Sequence, residues 1–371
     1  MANSPRILII SERFTRPLVA GSYFYEFEDV IQQVDNVHLV APTLKPSSVG
    51  RRPRFPLDQI YHRTGWKIDR EPQPQGHRID GTYDLLLVVQ PYLRHHHRAL
   101  ESVRGWQSRC RCKVLLIHEV WAGELGQRLP RYIRKQCGSF DHIAVGLHGS
   151  VEAADRALGR PCTWIGGAVD ALRFCPSMIE QDRPIDVLNL GRRSPITHEA
   201  LVTWADRHER WYYYDTTGPN LRNDHITHRA FLAGQCRRSR FFIANLSRFN
   251  QPEIRGRQQE PGIRHYEGAA AGAVLIGQPP DTDTFRSEFD WPDAVVPLAA
   301  DDPNIGCTLE QLEQSPARLD RIRRANVTHC LLKHDWSHRW RQVLDLAGLG
   351  PMQAYHERQK QLAARAAVMS R

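Results

Sequence analysis

Short apolar runs of four to seven residues, each closed by a glycine, a proline or a polar cluster, recur along this chain. They occupy 6–10, 37–41, 84–90, 113–117 and 141–146, then 185–190, 241–245, 273–276 and 294–298, with an aromatic run at 211–214. Runs this short suit parallel strands covered on both faces. Stretches with helical apolar spacing, such as 23–34 and 150–158, lie between them. That alternation predicts an α/β fold with parallel sheets. A chain of 371 residues exceeds one ordinary core, and the polar segment 178–184 separates the two groups of runs as a domain boundary.

The most informative stretch is 261–277. Pro261 and Gly262 punctuate its entry, Gly272 is placed to end a helix of about two to three turns, and Ala273 opens an apolar strand. Arg264 and Glu267 stand three apart and share a face near the helix start. Ala269, Ala270 and Ala271 let the rest of the helix pack closely on a sheet. A charged helix start backed by small residues points to a ligand approaching there.

Other candidates sit at strand ends, where open parallel sheets bind ligands. His118 and Glu119 close the run at 113–117, and an imidazole there can donate a hydrogen bond or take a proton near neutral pH. Gly191, Arg192 and Arg193 follow the run at 185–190, and guanidinium groups bind phosphate oxygens bidentately. Gly21 precedes the helix at 23–34, whose N-terminus suits a phosphate. With one glycine, that loop is not a dinucleotide fingerprint. Arg255 and Arg257 lie in the loop before the 263 helix.

Several features read as structure. Adjacent histidines point different ways on a helix, so His95, His96 and His97 are expected on a solvated basic face, not around one metal. Trp336 and Trp340, four apart, read as packing anchors. The eight cysteines show no metal spacing and are expected as reduced, half-buried thiols. Residues 43–80 read as a long Pro- and Arg-rich excursion.

Composition narrows the partners. Fifty basic against 41 acidic residues give a net charge of +9, which suits a phosphate-bearing substrate or an anionic membrane surface. The arginines are dispersed and carry no nucleic-acid motif, so nucleic acid is not expected. No apolar run approaches the roughly 20 residues of a membrane helix. The N-terminus shows no secretory signal, so the expected location is cytoplasmic, with peripheral membrane contact allowed.

The 264–276 pattern resembles the donor-site helix of family-4-type retaining glycosyltransferases and of the related spore-coat-type enzymes. Three further segments agree in order. These are His118-Glu119, the run Gly167-Val169-Asp170-Phe174-Pro176 that resembles the interdomain signature, and His334 to Trp340 near the C-terminus. The resemblance implies the GT-B architecture: two facing doubly wound, Rossmann-like domains with a C-terminal helix. Residues 1–178 form the acceptor side, 179–348 the nucleotide-sugar donor domain, and 349–371 a helical tail.

It also implies roles. Glu267 grips the donor ribose, with Gly268 beside it. Arg192, Arg193, Arg264 and Gly21 meet the diphosphate, and His118 and Glu119 lie at the reacting centre. A second glutamate, eight positions before Glu267 in the family, is Gln259 here, with Glu260 one step off. The implied function is sugar transfer from a nucleotide-sugar co-substrate to a glycan, lipid-linked or small-molecule acceptor. The transfer is retaining and independent of metal or other cofactor, and Asp281-Thr-Asp283 is given at most a minor metal role. A catalytically silent nucleotide- or glycan-binding relative and a sugar-nucleotide epimerase are the alternatives on this fold.

Overall fold

A computed structural model describes residues 5–17, 19–44, 74–126, 129–215 and 224–371. Most of the excursion expected at 43–80 lies outside the described residues. The apolar runs form two parallel sheets. The first has the order β2-β1-β4-β6-β7-β8, with β1 Ile7–Ile10, β2 Val37–Val40, β4 Tyr83–Tyr92, β6 Cys110–Glu119, β7 His142–Val145 and β8 Cys162–Trp164. A two-residue pair, β3 His77–Arg78 with β5 Val103–Arg104, lies apart from it. The second has the order β10-β9-β11-β12-β13, with β9 Ile185–Asn189, β10 Tyr212–Tyr214, β11 Ser239–Ile243, β12 Val274–Gly277 and β13 Val296–Pro297.

Both sheets are covered on both faces because their strand residues alternate. Leu8, Ile10, Leu86, Val88, Leu115 and Ile117 face one core, whereas Ile7, Ile9, Leu85, Leu87, Val114 and Leu116 face another. In the second sheet Phe242 and Leu275 face one side, and Phe241, Val274 and Ile276 the other. Pairing β1 to both β2 and β4 places Ile7 opposite Val37 and Leu85. Strand order therefore reverses beside β1 and, in the second sheet, beside β9. Such reversals open a crevice at the carboxyl ends of the strands.

Three differences from the sequence reading are informative. Strand β4 runs on through Pro91 to Tyr92. His97 is buried and caps the helix Arg98–Ser102, its Nδ1 accepting from the Leu100 N–H at 3.1 Å. His95 contacts Glu12 and Arg16, so this triplet is not a solvated basic face. The third concerns the C-terminus. Trp336, Trp340, Val343 and Leu344 pack with Ile7, Ile9 and Phe27 in the first domain's core. The chain thus returns to the first domain near residue 336, ahead of the expected change at 348. The last helix, Gln353–Met369, spans both units: Tyr355 joins the first core and Leu362, Ala366 and Met369 join the second.

Candidate active site

The helix Ile263–Ala270 ends as its sequence requires. Gly272 adopts φ +69°, donating to the Ala269 carbonyl at 2.9 Å while Ala273 donates to that of Gly268 at 3.0 Å. This paired closure favours glycine at the left-handed position. Gly268 faces the sheet. A Cβ there would come within 2.4 Å of Phe242 and 2.5 Å of Leu275. Packing therefore accounts for its missing side chain.

Glu267 projects from the same helix and is almost fully buried. Arg229, on the helix His225–Arg237, donates to its Oε1, and Arg264 donates to its Oε2. Burial alone would raise this carboxyl, but Arg264 and Arg229 outweigh it and hold it below the usual range. Arg264 also approaches Gly191, whose φ of +85° turns the chain sharply after β9. That turn leaves Arg192 exposed, while Arg193 is drawn to Asp215 and lies over the Tyr214 ring.

From the first domain, His118 ends β6 beside Glu119. Its ring meets Tyr23 and Phe24 edge-on, with centroids 4.8 and 4.9 Å away. Burial pushes the imidazole down to about 4 against the pull of Glu119, so it is neutral at pH 7. Glu119 is already engaged: its Oε1 accepts from Trp121 Nε1 at 2.8 Å and from Arg248 of the second domain. Arg16, Arg192 and Arg248 all bear electrostatically on the Tyr92 hydroxyl, so cationic groups of both domains converge at this edge. Gly21 caps the helix Ser22–Val34 without a side-chain bond. A Cβ there would make only an ordinary 3.6 Å contact with Tyr25, so packing does not demand glycine.

The cleft between the domains is lined by His118, Trp164 and Gly167 on one side and by Glu260, Tyr266 and Thr284 on the other. Its empty space, part of it open to solvent, is about 470 Å³. Glu260 crosses it, accepting the Gly149 N–H at 2.7 Å. Gln259 turns away and accepts from Asp281 N at 2.8 Å. Asp281 and Asp283 are both paired with Arg286, and among the described residues no His, Cys, Asp and Glu cluster has metal-ligating geometry.

Sequence reasoning missed Arg229, Arg248 and Tyr23. Arg229 lies within the helix His225–Arg237, and no local spacing distinguishes it. Arg248 sits with φ +52° in a loop whose course the sequence does not specify. Arg255 and Arg257, noted instead, are, like Arg192, Arg264 and Glu267, not among the residues that line the cleft.

Residues 188–345 match the family model described as "Glycosyl transferase-like". A solved alpha-glucosyltransferase in complex with UDP is 12% identical with a TM-score of 0.55, covering 93% of this chain and 100% of that one. An alpha-glucosyltransferase in complex with UDP-glucose and DNA containing an abasic site is 14% identical over the same shares, with a TM-score of 0.54. The chain has the GT-B glycosyltransferase fold. No curated protein matches it by sequence. In the GT-B frame, the family match covers the second domain, where β9, the Glu267 helix and the Arg192 turn lie. The first domain is related to the solved structures through fold alone. No helix among the described residues is long and apolar enough to cross a membrane.

Proposed function

We propose that this protein transfers a glycosyl group from a nucleotide sugar to an acceptor, with retention and without a metal. The observation that carries the reading is that the helix bearing the buried Glu267 carboxylate and Arg264 lines, through Ile263 and Tyr266, the same cleft as the neutral His118 imidazole. Glu267 offers acceptor lone pairs to the ribose hydroxyls. Arg264 and Arg192 neutralise the diphosphate where leaving-group charge develops. His118, with no hydrogen-bond partner among the described residues, faces the reacting sugar. Glu260 stands opposite it as the carboxylate that can take a sugar hydroxyl. The fold neighbours crystallised with UDP or UDP-glucose make UDP the first nucleotide to try.

The test is thermal-shift and calorimetric titration with nucleoside diphosphates, UDP first, for the wild type and Glu267→Ala. A ligand at a hundred times its Kd stabilises by about 2.7 kcal/mol. Stabilisation of the wild type and not of the folded variant supports the donor site; none with any nucleotide overturns it. Retention is read from the anomeric configuration of the product, and metal independence from turnover in excess chelator. A second reading, nucleotide binding without transfer, is favoured by one observation: Glu119 is already consumed by Trp121 and Arg248. Tight UDP binding with no turnover on any acceptor would select it.

A further inference from the structure

Arg229 belongs to no motif, yet it is 1% exposed and joins three elements. One terminal nitrogen donates to Glu267 Oε1, and the other donates to Glu26 Oε2 at 2.5 Å, on the first domain's helix Ser22–Val34. Its guanidinium lies 4.8 Å from the Phe174 ring centroid in the interdomain segment 167–176, the hinge between the domains. We propose that Arg229 is a positioning residue that presents Glu267 to the nucleotide ribose and ties that carboxylate to Glu26 across the domain interface. The inference rests on the donor site argued above.

The argument is one of lone pairs and charge. A carboxylate has about four acceptor positions. With Arg229 on Oε1 and Arg264 on Oε2, each oxygen keeps a free position, matching the two vicinal hydroxyls of a ribose. Arg264 is partly exposed, whereas Arg229 is the buried backing that fixes the carboxylate's rotation. Removing it would leave two buried carboxylates facing each other.

Glu26 completes the device. It is fully buried, and its Oε1 has no partner among the described residues. The charged groups around it are Arg229 on the helix His225–Arg237 and Asp170 and Arg173 in the hinge; Arg358 of the terminal helix binds Asp170. Burial raises its carboxyl to about 7 against the pull of Arg229. With Glu26 ionised, the cluster Glu26, Arg229, Glu267 and Arg264 is neutral. With Glu26 protonated it carries one positive charge and favours an anionic nucleotide.

The experiment is calorimetric titration of UDP into wild type, Glu267→Gln, Arg229→Lys and Glu26→Gln at about pH 6 and about pH 8, which bracket a neutral-range titration. Far-UV circular dichroism checks each fold. Arg229→Lys, which keeps the charge but not the fork, is expected to weaken UDP by at least about tenfold. Glu26→Gln, close to isosteric, is expected to bind UDP more tightly than wild type at the higher pH and equally at the lower. UDP's own ionisation is common to all four proteins and cancels in that comparison. If Arg229→Lys and Glu26→Gln match the wild type at both pH values while Glu267→Gln loses UDP, the positioning role is overturned and the donor site stands. If Arg229→Lys does not fold, Glu26→Gln decides: UDP affinity equal to the wild type's at both pH values shows that the Glu26 tie does nothing for the site and overturns the proposal by itself. If the wild type binds no UDP, both readings fall.

Discussion

Glu260 of the second domain accepts the backbone N–H of Gly149 of the first, Oε1 to N at 2.7 Å. Gln258 beside it bonds to Ser150 Oγ and to the Ala122 N–H, both at 2.9 Å. The loop before the Glu267 helix is thus pinned across the cleft at three places. Glu260→Ala should cost about 0.5–1.5 kcal/mol, because a part-buried hydrogen bond to the Gly149 N–H is lost. Gly149→Ala should also destabilise, since its Cβ would stand 2.9 Å from that carboxylate and 3.0 Å from Gln258. Urea denaturation checks both, and unchanged midpoints would show that this contact does not hold the domains.

Gly268 separates packing from binding. Gly268→Ala forces a Cβ into Phe242 and Leu275, and overpacking of this kind costs about 1–3 kcal/mol. The prediction is a lower unfolding midpoint with unchanged UDP affinity in the remaining folded protein. A large loss of affinity without loss of stability would return Gly268 to the donor site.

Arg358 donates to Asp335 and Asp170, each at 2.7 Å, and all three are buried. Truncation to alanine leaves the buried Asp335 without a cation and Asp170 with Arg173 alone, and should cost about 3–5 kcal/mol. Acid titration tests the same group. Burial opposes ionisation of Asp335, but Arg358 and Ser337 outweigh it and hold its carboxyl below the usual value of 3.8. Its unfolded form therefore binds the proton first. The stability it contributes is complete above that usual value and is lost as pH falls through the folded one. Arg358→Gln should weaken that acid dependence, and a parallel pH–stability curve would contradict the assignment.

His118 gives a dependence in a different range. Its folded value of about 4 lies below the usual 6.5, so between those values the unfolded chain takes up a proton that the native site resists. Stability from this group is complete above about 6.5 and declines as pH falls toward 4. His118→Asn should remove that decline. A proton-resonance titration should find the His118 imidazole neutral throughout the neutral range, and a midpoint near 6.5 would show the ring to be solvated.

Much of the fold was legible because its signals are local. Apolar runs at 6–10, 113–117 and 185–190 announced buried strands, and Gly272 announced a helix end through the one backbone conformation that favours it. For the candidate site, what was legible is local placement: Arg264 meets Glu267 on one helix face, and His118 stands at its strand end. The site was not legible where partners come from far along the chain. Arg229 reaches Glu26 across 203 positions and Arg248 reaches Glu119 across 129, and no periodicity encodes either meeting. The burial of His95 and His97 was hidden for the same reason: Glu12, on a different strand end, neutralises what looked like a solvent-facing cationic run.

The return of the chain at Trp336 has a consequence for biosynthesis. Phe27 stacks on Trp336 at 4.8 Å, and Trp340 donates to Asp35 at 3.1 Å, so one face of the first sheet is closed by side chains more than 300 positions downstream. While the ribosome is still translating the second domain, the apolar residues of β1, β4 and β6 on this face are covered by the helix Ser22–Val34 but lack Trp336, Trp340, Val343 and Leu344. The half made first must therefore wait for the segment made last. An amber codon just before Trp336 should yield an aggregating product in which the N-terminal half, though complete in sequence, is the part that fails.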